Sequence, residues 1–178
     1  TEVDARAFGA LRRRGSVWRD LQALEQLLEE RRAALPADAD PATVAALYES
    51  YDALGIVDRY IHKLQHSRSW AERAFAARYL GEIGSARAVG PLIEIMRDTR
   101  EEDRDVRLAA GRALGRIRDP RAIEPLLAAL AAPESWLPAR VAEVLLQFGA
   151  TAVEPLLALL QRPEDSSARA WAAQILGD

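Results

Sequence analysis

Three side chains in this sequence have the types and spacing of a metal site. Asp58, His62 and His66 lie four apart, so a helix would put all three on one face, where two imidazoles can share an ion. Ser67 and Ser69 add a hydroxyl to the same stretch, completing the residue types of a nucleophilic triad with His66 and Asp58. The simpler reading is favoured for both. The stretch reads as the polar stripe of a helix whose other face carries Val57, Tyr60, Ile61 and Leu64, with His66 in the exit turn. Neither serine is accompanied by the signal of a strained nucleophile turn or an oxyanion hole. A run of acids at Asp98, Glu101, Glu102, Asp103 and Asp105 lacks the spacing and the glycine of a calcium loop and reads as a solvated loop. Cysteine is absent, which removes disulfides, thiolate nucleophiles and thiolate metal sites together. The expectation is no metal, no cofactor and no catalytic constellation.

Two further sets of residues recur rather than cluster. Arg73, Arg107 and Arg169 occupy corresponding places in similar segments, and a structural ladder is expected of them, each bonding turn carbonyls or an acid of the adjacent segment. Trp70 and Trp136 each follow a serine able to cap a helix, and both are expected to seal a seam by packing rather than to stand out as partner anchors.

The elements that position these residues are repeats. Arg73 to Gly84 is copied, with drift, at Arg107 to Ile117, Val141 to Gly149 and Arg169 to Gly177; the equivalent leucines Leu80, Leu114, Leu145 and Leu176 are separated by 34, 31 and 31 residues. That period belongs to architectures that stack one supersecondary unit on the next. After each copy comes a tight turn and then Val89-Gly90-Pro91-Leu92, Ile123-Glu124-Pro125-Leu126 or Val153-Glu154-Pro155-Leu156. A proline at the same place in three segments is tolerable only near a helix start, so each copy is a pair of helices in fixed register. Nearly half of the 178 residues are apolar and few are aromatic, as suits close-packed helices. The formal net charge of −3 argues against a broad basic footprint for nucleic acid.

Residues 1–36 read as an N-terminal helical segment, broken near Gly15-Ser16, with Val17, Leu21, Leu24 and Leu28 as its apolar seam. Arg12-Arg13-Arg14 with Arg19 is the most basic stretch; a solvated face is the favoured reading, and a juxtamembrane segment is the competing one. Asp40-Pro41 starts a helix as N-cap and first-turn proline, and Gly55 is placed to end it in the left-handed conformation. Residues 40–66 therefore form a helical hairpin, a degenerate cap for an array that runs from 40 to 178, with repeats at about 69–98, 104–132 and 135–162 and a partial one at 166–178. Ser69-Trp70-Ala71-Glu72 is a capping box. The chain opens at Thr1 and stops where the other copies enter their second helix, so a longer protein is expected.

The alanine-rich helix, Leu-Gly, a turn such as Asp119-Pro120-Arg121-Ala122, then Pro-Leu-Leu, together resemble HEAT repeats of the bacterial, phycobilisome-lyase-like kind over residues 69–178, with a weaker echo at 40–66. The third copy departs from the pattern, because Pro138 stands where Arg73 and Arg107 do. The resemblance implies an all-α, right-handed superhelix whose second helices line a concave face, with Phe75, Tyr79, Leu80, Ile83, Leu92, Ile93, Met96 and their counterparts as a continuous core. Trp171, Ile175 and Leu176 are expected to be an exposed apolar end. It further implies a non-enzymatic scaffold for a protein partner, using Glu94, Arg97, Glu124, Ala128, Glu154, Ala158 and Gln161 against a basic or mixed-charge segment. The location expected is the cytoplasm, at the cytoplasmic face of a membrane if a preceding segment anchors it. A chromophore- or cofactor-handling lyase-like protein is the alternative, and nucleic-acid binding ranks below both. The histidine-glutamate ligand pairs of di-iron HEAT enzymes are missing, since Lys63 follows His62 and Ser67 follows His66.

Overall fold

A computed structural model describes residues 17–36, 38–97, 104–131, 138–162 and 166–177, and among these there are ten α-helices and no strand. The expectations placed on Arg12-Arg13-Arg14, Gly15-Ser16, the side chains of Val17 and Arg19, the acidic run from Asp98 to Asp103, Ser135 and Trp136 lie outside the described residues. The chain divides into two compact units, residues 1–59 and 60–178.

In the first unit, α1 (Val17–Ala33) faces α2 (Pro41–Ala53), and α3 (Ile56–His66) begins. Leu21, Leu24 and Leu28 are half-buried along the seam of α1. The Asp40 carboxylate accepts from the Thr43 amide at 3.2 Å, so the N-cap forms as its residue types require, and Gly55 takes φ +67° after the helix ends. Polar contacts then fix the pairing. The Tyr51 hydroxyl, on a fully buried ring, donates to Glu29 Oε1 at 2.9 Å; Arg32 pairs with the same carboxylate, and Arg59 with Glu25. Burial first, and then the bond to Glu29, pushes the Tyr51 phenol well above its ordinary pKa.

The second unit is a layered array of helical hairpins. First helices are α4 (Trp70–Ile83), α6 (Arg104–Ile117), α8 (Pro138–Leu146) and α10 (Ser166–Gly177); second helices are α5 (Val89–Arg97), α7 (Ile123–Ala131) and α9 (Val153–Leu160). Short 3₁₀ turns, Ala86–Ala88, Pro120–Ala122 and Gly149–Ala152, join each first helix to its second. The core runs between the two rows through Leu80, Leu92, Met96, Leu114, Leu126, Leu130 and Leu145, all essentially inaccessible. Burying each such side chain contributes roughly 1.5–3 kcal/mol, and no hairpin can hide its own apolar face alone. Pro138 opens α8, and that first helix has nine residues where α4 and α6 have fourteen, starting three positions later and ending two earlier in the shared register.

Three expectations about burial are corrected. Phe75 is 44% exposed, because its face of α4 points away from the second helices, and Ile93 is only half-buried. Trp70 is 56% exposed at the first position of α4 and seals no seam. The apolar end at α10 is smaller than expected: Ile175 is buried and Trp171 and Leu176 are half-buried, since α10 packs on α7, α8 and α9. The capping box is also rebuilt. Ser69 caps the Glu72 amide at 3.4 Å, but the Glu72 carboxylate accepts from the Ser67 hydroxyl at 2.6 Å, and Ser67 Oγ in turn accepts from the Ser69 amide at 3.2 Å. Ser67 thus relays the bond that the glutamate would otherwise make directly.

Candidate interaction surfaces

The residues with catalytic types lie on α3 and at the entry to α4. The His62 and His66 rings stack with centroids 4.5 Å apart, and His66 Nδ1 lies 3.2 Å from the His62 carbonyl oxygen of its own helix. Ser67 and Ser69 spend their hydroxyls on the cap just described. Asp58 belongs to the first unit and is exposed. Among the described residues no group of three or more histidines, cysteines and acids could hold a metal ion. Arg73 meets the expected structural role: it is buried, and its Nε donates to the Leu64 carbonyl of the preceding helix at 3.0 Å. Arg107 is buried likewise. Arg169 departs, being exposed on α10, so the ladder stops before the last copy.

All seven residues of the second-helix strip are exposed, while their neighbours Leu92, Met96, Leu126, Leu130, Leu156 and Leu159 are buried. Counting from the recurrent proline places them in three rows. Glu124 and Glu154 share the first row with Gly90; Glu94 shares the second with Ala128 and Ala158; Arg97 shares the third with Ala131 and Gln161. The strip is less acidic than its glutamates suggest. Arg162, which follows the end of α9, reaches Glu124 across the layer at 3.9 Å, and Gln65 donates to Glu94 at 3.5 Å.

Sequence reasoning missed Arg162 and also missed an apolar edge to this strip. Val153 and Leu157 are 40% and 43% exposed on α9 beside Glu154 and Ala158. Leu157 is the counterpart of Leu127, which is buried. The difference is the following layer: α7 packs against α9, whereas no described second helix follows α9. Periodicity assigns both leucines to the same place and carries no signal that separates them.

The first helices present a different surface. Phe75 and Tyr79 stack at 6.0 Å, and Tyr60 tilts against Tyr79 at 4.4 Å. The Arg78 guanidinium lies 5.0 Å above the Phe75 ring, and Lys63 Nζ lies 5.6 Å from the Tyr60 ring. A cavity of about 300 Å³ between α4 and α6 is lined by Ala74, Phe75, Arg78, Arg112, Ala113 and Arg116. Beside it, the Glu82 carboxylate accepts from Arg78 at 2.7 Å and from Arg116 at 3.4 Å. At the turn end, Arg121 Nη2 donates to the Ala86 carbonyl of the previous turn at 2.9 Å, and its hydrogen bond to Asp119 holds that carboxyl below the usual range. In the first unit a larger cavity of about 520 Å³ is walled by Leu24, Leu27, Leu28, Leu47 and Leu54.

No helix among the described residues is long and apolar enough to cross a membrane. The sequence profile described as HEAT repeats matches residues 57–146 and, in a second register, residues 99–177. No curated protein matches the chain.

Proposed function

The chain belongs to the HEAT-repeat family through residues 57–177, and on that premise we propose that it is a non-catalytic scaffold that holds a partner protein against the strip formed by Glu94, Arg97, Glu124, Ala128, Glu154, Ala158 and Gln161. The observation that carries the reading is the exposure of three successive rows on α5, α7 and α9 while the intervening leucines build the core. Charged, small and amide side chains occupy these exposed positions, as suits a surface that contacts a partner. The partner segment is basic or of mixed charge. Association with such a strip is steered by charge, so salt and charge reversal act mainly on its on-rate and specificity.

The location proposed with this reading is the cytoplasm, at the cytoplasmic face of a membrane if a preceding segment anchors the full-length protein; recovery of the full-length protein only in the soluble fraction would remove the membrane part. The strip is tested by placing a photo-crosslinking amino acid at Ala128 or Ala158 in the host and repeating the capture with Glu94, Glu124 and Glu154 all changed to lysine. One partner crosslinked at both positions and lost on charge reversal supports the strip. A partner that survives reversal puts the surface elsewhere, and a bound pigment with no protein partner replaces the scaffold reading with a cofactor-handling one.

A further inference from the structure

The cleft between α4 and α6 has the chemistry of a second interface, distinct from the strip on the second helices, and we propose that it binds an acidic segment of a partner protein. Three guanidinium groups, Arg78, Arg112 and Arg116, surround its floor of Ala74 and Ala113, and the Glu82 carboxylate accepts from two of them. Glu82 is shared between Arg78 and Arg116, and among the described residues Arg112 makes no ion pair. The cleft therefore carries an uncompensated positive charge beside an exposed aromatic ring, Phe75. Carboxylates accept two parallel bonds from an arginine fork, and a leucine-sized side chain seated on Phe75 would remove that ring from water.

The repeat register shows that this chemistry is local. Arg78 and Arg112 are counterparts, as are Glu82 and Arg116, and in the next copy those places hold Glu143 and Gln147. Glu143 is itself paired with Arg140 at 2.9 Å. A nucleic-acid backbone needs cationic contacts that continue along its track, and here they end after two helices. A short run of aspartates and glutamates around one apolar residue matches the cleft in both length and charge.

The test uses the whole chain and a fluorescein-labelled peptide of alternating aspartate and glutamate with one central leucine, read by anisotropy, with oligothymidylate of equal charge in parallel. Binding should weaken as salt is raised, fall about tenfold in Arg112→Glu, where a like charge faces the peptide, and fall in Phe75→Ser. It should not weaken when Glu94, Glu124 and Glu154 are all changed to lysine, so that success or failure here is separable from that of the strip. Arg112→Ala, with an unaltered circular dichroism spectrum and melting temperature, guards against a folding effect. The proposal is overturned if the peptide does not bind, if Arg112→Ala and Arg112→Glu both bind it as well as the native protein, or if oligothymidylate binds more tightly than the peptide.

Discussion

Arg118 has φ +57°, the one non-glycine residue with positive φ among those described. Its counterparts in the neighbouring copies are Gly84, at φ +75°, and Gly149, at φ +55°. The first-helix exit thus needs the left-handed conformation, and in the second copy a side chain bears its cost. The Arg118 amide still donates to the Leu114 carbonyl at 2.9 Å, as Gly84 does to Leu80 at 3.1 Å, so the turn itself is kept. A left-handed conformation costs a residue with a Cβ about 1–2 kcal/mol, partly offset by the extra freedom that glycine has in the unfolded chain. Arg118→Gly should accordingly stabilise the protein by about 1 kcal/mol, measured by urea unfolding; a variant less stable than the native protein would show that the Arg118 side chain makes a contact worth more than its strain. The local turn Arg118-Asp119-Pro120 reads as ordinary, and only the repeat register, which sets Arg118 against Gly84 and Gly149, points to a left-handed residue there.

At the scale of the element, the closeness of α4 and α6 has a single cause that can be tested. A Cβ added to Gly81 would lie 2.6 Å from the Ala113 Cα, a backbone atom that cannot swing aside. At Leu80-Gly81 the pair is therefore a packing device, leucine entering the core while glycine lets the next first helix approach, whereas a Cβ on Gly115 would meet only the Gln147 and Val144 side chains and one on Gly177 nothing within 4 Å. Gly81→Ala should destabilise by about 1–3 kcal/mol through overpacking, despite the gain in helix propensity that the change would bring on an exposed helix. Denaturant unfolding decides between them, since a stabilised variant would mean that the two helices part without cost. The pairing, the register and the caps at Asp40 and Ser69 were legible in the sequence, because each depends on residues within a few positions of one another. The relay through Ser67 was not, because it depends on where the chain enters α4.

At the scale of the molecule, the second unit is stabilised layer by layer, each first helix contributing to the one before and the one after. Loss of a leucine between two layers is therefore felt more than loss of a larger ring at the rim. Leu114→Ala should cost about 2–5 kcal/mol, since Leu114 is wholly buried, while Phe75→Ala should cost under about 1 kcal/mol. Equal effects in thermal unfolding would show that the Phe75–Tyr79 stack belongs to the core after all. The two surfaces follow from the same layering: second helices expose the mixed-charge strip, and first helices expose the arginine cleft.

The sequence by itself determined the helices, their pairing into hairpins, the repeat register and membership of the HEAT-repeat family, because periodicity, caps and turn residues act over one or two helical turns. It also placed all seven strip residues at exposed positions. Only the tertiary structure decided that Leu127 is buried and Leu157 exposed, that Phe75 and Trp70 face solvent, that Arg169 leaves the ladder, and that Arg78 and Arg116 share Glu82. Helical period says which face a side chain is on, whereas burial and charge compensation depend on what the neighbouring layer sets against that face.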